Sequence, residues 1–138
     1  MLQRSRLIVS ALIAASALGL IASPLVGAEQ QAIKRQDLLT LELHDIQGSD
    51  MHVWVAEVAP GAATGRHSHP TPRFVYVIEG AVVLELDDKS AQTFKAGQAF
   101  AEMPNEIHNF RNASTTEPAK ALGFQYARTG QALQSNAP

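Results

Sequence analysis

Apolar and polar positions alternate with a two-residue period along much of this chain, and Gly, Pro, Asn or Asp breaks the alternation about every ten residues. Residues 51–58 put Met51, Val53, Val55 and Glu57 on one face and His52, Trp54, Ala56 and Val58 on the other, as a strand does. Ala59-Pro60-Gly61 stops it. Residues 74–78 are β-branched or aromatic on both faces. A strand of that kind is buried on both sides, which sets one face against a second subunit. Further strands are predicted over 81–86, 91–94, 100–103, 107–110 and 119–127, with turns at Glu79-Gly80, Asp87-Asp88-Lys89-Ser90, Ala96-Gly97, Pro104-Asn105 and Asn112-Ala113-Ser114. Pro70-Thr71-Pro72 cannot sit inside a sheet and marks one more turn. Residues 38–43 have the density of either a short strand or a helical turn. With no long amphipathic helix and no repeat at a fixed period, the chain reads as an all-β sandwich or barrel.

The two ends fall outside this pattern. Arg4 and Arg6 precede a mostly apolar stretch over 7–21, and Val26-Gly27-Ala28 fits a small-x-small cleavage site. Residues 1–28 therefore read as a secretory signal peptide, and the protein as periplasmic or secreted. The apolar stretch is shorter than the roughly 20 residues a membrane span needs, so no membrane contact is expected after cleavage. Residues 29–50 read as an N-terminal arm, polar and frayed up to Asp37, followed by a first strand. Residues 51–127 form the barrel, and 128–138, with Gly, Ser and Asn, a mobile tail.

Charge and cysteine content narrow the partners. Removing Arg4 and Arg6 from the 11 basic side chains leaves nine against 13 acidic ones, a formal charge of −4. That argues against nucleic acid or an anionic membrane as partner and leaves a small molecule. With no cysteine there is no disulfide and no lipid attachment site. A domain this small without staples needs a closed core, an oligomer or a metal.

His67-Ser68-His69 follows the Gly61 turn. In an extended segment both imidazoles point to one face, which makes half of a metal site. His44 and His52 stand alone and read as surface residues. Gly61, five residues, His67-x-His69 and then Gly80 resembles the first motif of the cupin superfamily. Gly97, ten residues and then His108-x-x-x-Asn112 resembles the second. The resemblance covers about residues 51–127. It implies a double-stranded β-helix barrel, a relative of the jelly roll, with a site in its mouth, and a homodimer. The run Gly97-x-x-Phe100-x-Glu102-x-Pro104-x-x-x-His108 looks like the small single-domain cupins often labelled quercetin-dioxygenase-like. Carried over residue by residue, His67, His69 and His108 become the ligands of one divalent transition metal ion: Fe, Mn, Ni, Cu or Zn. Three neutral imidazoles leave an open position for water, oxygen or substrate.

The sequence departs from the motif at one position. The first motif should supply a glutamate four residues after the second histidine, and Arg73 stands there. A guanidinium about 4 Å from a doubly charged ion costs roughly 8 kcal/mol at an effective dielectric of about 20. Three resolutions are open: Arg73 points away from the mouth, an acid neutralises it, with Glu102 the first candidate, or it pairs with an anionic substrate. Glu102 itself reads either as a displaced carboxylate ligand or as a strand residue facing solvent. The usual Pro-x-Gly of the second motif is Pro104-Asn105-Glu106 here, and Glu106 reads as a solvated turn residue. Trp54, Phe100, Phe110 and Phe124 read as core or interface aromatics, and Tyr76 lies on the strand face opposite Arg73. Three functions fit: a metal-dependent, dioxygenase-like small-molecule enzyme; a metal-free cupin that binds a small anion or sugar, with Arg73 as its contact; or a structural dimer with a vestigial site.

Overall fold

The computed structural model describes residues 33–138 except Asp88. The expected signal peptide and residues 29–32 lie outside the described residues. The strands are β1 (Ile33–Glu42), β2 (Ser49–Val58), β3 (His67–Ser68), β4 (Arg73–Glu79), β5 (Ala81–Leu86), β6 (Gln92–Lys95), β7 (Ala99–Glu102), β8 (His108–Asn112), β9 (Ala119–Arg128) and β10 (Ser135–Asn136). There is no helix among the described residues. Two five-stranded sheets form, in the orders β1-β2-β9-β4-β7 and β10-β3-β8-β5-β6, and every strand pair is antiparallel. This is a double-stranded β-helix.

The core is small and branched. Val58, Val77 and Val82 are fully buried, with Val75, Phe110, Ala119 and Ala121 packed beside them. Each such valine contributes about 1.5–3 kcal/mol by leaving water. Phe94 stacks on Phe100 at 4.3 Å at the edge of this cluster. Gly80 lets the chain leave β4 for β5 in the other sheet. Its φ is +72°, and a Cβ there would sit 2.9 Å from the Pro118 carbonyl oxygen, so only glycine fits. Asn112 holds the closing loop. Its side-chain amide donates to the carbonyls of Val58, Ala59 and Glu117, and its oxygen accepts from the Ser114 N–H.

The sheets reach beyond the expected barrel limits at both ends. β1 takes in residues 33–37, which the polar composition had assigned to a frayed arm. An edge strand needs no apolar face of its own. β1 pairs with β2 along its length, through one bulge at Leu38. The ambiguous segment 38–43 is the end of this strand. The tail is likewise held: β10 pairs with β3, and the Ala137 N–H donates to the Arg66 carbonyl. Pairing to a two-residue partner strand leaves no periodic signal in the sequence.

The strand over 74–78 shows only half of the expected burial within one chain. Arg73, Val75 and Val77 face inward, while Phe74, Tyr76 and Ile78 are exposed. Their neighbours across the sheet are Phe124 and Leu122 of β9, so the outer face of the first sheet is apolar over two adjacent strands.

Candidate metal centre

The site lies between the two sheets. β3 and β8 deliver His67 and His108 as directly opposed cross-strand partners. His69 follows two residues after His67, on the same face by alternation. All three are buried, at 0%, 1% and 1% exposure. From the opposing sheet, Arg73 opens β4, Glu102 closes β7 and Gln125 lies on β9, and register places Arg73 between the other two. Asn105 supports the turn joining β7 to β8. It adopts φ of +62°, a left-handed conformation that asparagine tolerates, and its N–H donates to the His69 carbonyl.

Hydrogen bonding fixes the imidazoles in one tautomer. Nδ1 of His67, His69 and His108 lies 2.9 Å from the carbonyl oxygens of Gly65, Leu133 and Glu106 respectively. A carbonyl oxygen can only accept, so each Nδ1 carries a proton and donates it. Each Nε2 in the neutral ring therefore offers a lone pair, and the three ligand atoms lie within 4.8 Å of one another. Nε2 of His67 and of His108 are buried with no hydrogen-bond partner among the described residues. Leaving two such acceptors dry and unpaired costs about 1–3 kcal/mol each, and a shared cation would satisfy both.

Glu102 lies against the histidine cluster. Its Oε2 is 2.9 Å from Nε2 of His69 and 3.6 Å from Nε2 of His108. An ionised carboxylate oxygen and an imidazole lone pair 2.9 Å apart need a proton or a metal ion between them. Two ligand atoms each about 2.1 Å from one ion, at right angles, are about 3 Å apart, so the spacing fits a shared ion. The solvent-facing reading of Glu102 is overturned: it is 3% exposed. Alternation could not decide this, because β7 is a short edge strand whose other residues are largely exposed.

The charges are consistent with this arrangement. Burial pushes the Glu102 carboxyl up, but the neighbouring His108 and His69 and the Arg73 guanidinium outweigh it and hold it at about 2. Burial brings His67 down to about 4, so the ring is neutral at physiological pH. For His108 burial acts downward, yet the adjacent Glu102 carboxylate wins and raises it. Burial lowers Arg73 to about 10, against the pull of Glu102, and it stays charged. Of the three resolutions for Arg73, the structure takes the second. Arg73 faces inward, its Nε donates to the Gln125 side-chain oxygen at 3.0 Å, and it lies 3.7 Å from Glu102 Oε2.

Several contributors were not singled out from the sequence. Gln125 was legible in principle, as the one polar residue in the buried register of β9. Leu133 was not, because its carbonyl does the work, accepting from His69 Nδ1, Gln125 Nε2 and Arg73 Nη2. The C-terminal segment is therefore a strap across the site. Deleting residues 131–138 removes the group that orients His69, and a lost orienting partner typically costs 10–100-fold in metal affinity. We expect that loss in a competition titration against a chromophoric chelator. An unchanged affinity would show that the strap does not orient His69.

A two-sheet β-helix barrel with three inward imidazoles at one end is the architecture of a cupin. The family model described as cupin domain matches residues 54–124. The chain belongs to the cupin superfamily as a single-domain member. Among solved structures it is similar to a cupin-like protein from Thermotoga maritima MSB8, with 22% identity, a TM-score of 0.57, and 70% of this chain and 74% of that one covered. It is also similar to a protein with a double-stranded β-helix domain from Klebsiella pneumoniae subsp. pneumoniae MGH 78578, with 23% identity, a TM-score of 0.58, and coverage of 79% and 87%. A third likeness is the cupin domain of Schizosaccharomyces pombe Cnp3, with 16% identity, a TM-score of 0.58, and coverage of 72% and 66%. None of the curated proteins matches the chain.

Proposed function

We propose that this cupin is an exported metal-dependent enzyme acting on a small molecule, of the dioxygenase-like kind, with His67, His69 and His108 as ligands and Glu102 as the fourth. The supporting observation is the set of three Nδ1–H bonds to backbone carbonyls, which turns three lone pairs toward one point and leaves two of them unpaired. Glu102 enters from β7 where the first motif has lost its own carboxylate, and Arg73 offsets part of its charge. A divalent ion bound there supplies Lewis acidity and an open coordination position. The chain's own part is to exclude water from the buried imidazoles, to hold Glu102 ionised, and to aim Arg73 at whatever lies beside the metal. A homodimer belongs to this reading, with a second copy covering Phe74, Tyr76 and Ile78.

Metal analysis of untagged protein tests the proposal. Close to one equivalent of a transition metal is expected. Less than about a tenth of an equivalent, even after reconstitution, would favour the second reading, a metal-free cupin binding a small anion. That reading draws on one observation, the buried Arg73 at the wall of the internal cavity.

A further inference from the structure

A cavity of about 110 Å³ lies against Arg73 and Glu102. Glu102, 2.9 Å from His69, and Arg73, 3.7 Å from Glu102, both line this cavity, so it adjoins the carboxylate side of the site. Its floor is Trp54. The indole lies in β2 opposite Gly123 of β9. A Cβ at Gly123 would come within 2.4 Å of the ring, so the missing side chain is what admits the indole. Two guanidinium groups approach that ring: Arg35 at 4.0 Å from its centroid and Arg73 at 5.0 Å. Arg35 stands at the outer rim with 35% of its side chain exposed, and Arg73 stands inside. Val75 and Phe110 make the adjoining wall apolar.

Two cations close to one indole and lining one small cavity repel each other, and a bound anion would relieve that. Asp37 holds only the Nε edge of Arg35, from a position largely in water, where such a pair is weak. Arg73 shares Glu102, but a metal ion on Glu102 would take up that negative charge. The loaded site then carries an excess of positive charge around an apolar space. The ligand that fits has one negative charge, a planar head matching a guanidinium fork, and a short apolar body. Size limits it further: a 150 Å³ cavity admits benzene, so this one holds about four or five heavy atoms.

We propose that this cavity is the seat of a small organic monocarboxylate of about two to three carbons, its carboxylate between Arg35 and Arg73 and its body against Trp54. As a substrate assignment this rests on the metal centre proposed above; as a binding site it does not. The apolar wall and small volume disfavour sugars, which need many polar partners.

Trp54 is the single tryptophan of the chain, so its fluorescence reports on the seat directly. Zinc-loaded and EDTA-treated protein would be titrated with acetate and propionate, and with acetamide and propionamide as neutral counterparts, at constant ionic strength. A saturable change is expected with the carboxylates and not with the amides. R35Q should raise the half-saturating concentration about ten-fold or more, since a charge-assisted hydrogen bond is lost, and R35K should fall between. Arg35 is partly exposed, so these variants leave the core intact. Equal responses to amides, an R35Q curve matching the parent, or no response in either form would overturn the proposal. If the protein takes up no zinc, the EDTA-treated series decides by the same criteria, so the metal centre can fail while the seat stands.

Discussion

Alanine at His67 or at His108 is expected to abolish metal retention, leaving less than about a tenth of an equivalent after dialysis of reconstituted protein. Each variant removes one of three converging lone pairs, and neither residue has a near substitute among the described histidines, since His44 and His52 lie outside the cluster. The effect should also appear as lost stabilisation. Metal at about 100 times its dissociation constant adds about 2.7 kcal/mol to the parent, which raises the melting temperature of a domain this size by on the order of 10 °C. In His67→Ala and His108→Ala the metal-induced shift should vanish. A shift preserved in both variants would mean that the ion sits elsewhere.

The second large effect is at Glu102. In metal-free protein, Glu102→Ala leaves the buried Arg73 guanidinium without its counter-charge, and breaking one partner of a buried pair costs about 3–5 kcal/mol. Glu102 also carries a pH signature, set by His108 and His69 ahead of Arg73. The carboxyl is held near 2 in the fold against 4.5 ordinarily, so its stabilising contribution is complete above about pH 4.5 and is lost as pH falls toward 2. Denaturant titrations should therefore show an acid-side loss in the parent that Glu102→Ala lacks. The double variant Arg73→Met, Glu102→Leu should regain most of the stability, because an apolar pair of similar volume carries no desolvation cost, while metal affinity stays low. Glu102→Ala within about 0.5 kcal/mol of the parent would show that the pair contributes nothing.

Much of the fold was legible because its strands alternate and its turns are marked by residues with a steric reason to be there. Residues 51–58, 74–78, 81–86, 100–103 and 119–127 lie within or overlap strands of the structure. Trp54 and Val58, which the alternation puts on one face of β2, are both buried. Where the local signal failed, long-range pairing had decided the outcome. Residues 33–37 are a strand because β2 offers an open edge, and Ser135–Asn136 is one because β3 does.

The site divides along the same line. His67-x-His69 and the spacing to His108 belong to the chain itself, since a two-residue period fixes the face and the turn lengths fix which strands meet. The closed barrel, and His108 as the third imidazole, followed from the resemblance of the glycine, histidine and asparagine spacing to the two cupin motifs. The state of Arg73 could not be read this way. Its neighbours Glu102 and Gln125 are 29 and 52 residues away in the chain and meet it only because β4 is hydrogen-bonded to β7 on one side and β9 on the other. The same holds for the Leu133 carbonyl on His69 and for Arg35 over Trp54. Sequence periodicity determines which way a side chain faces. Which charge it meets there depends on strand order, and that is set by the global burial of both sheets rather than by any local residue pattern.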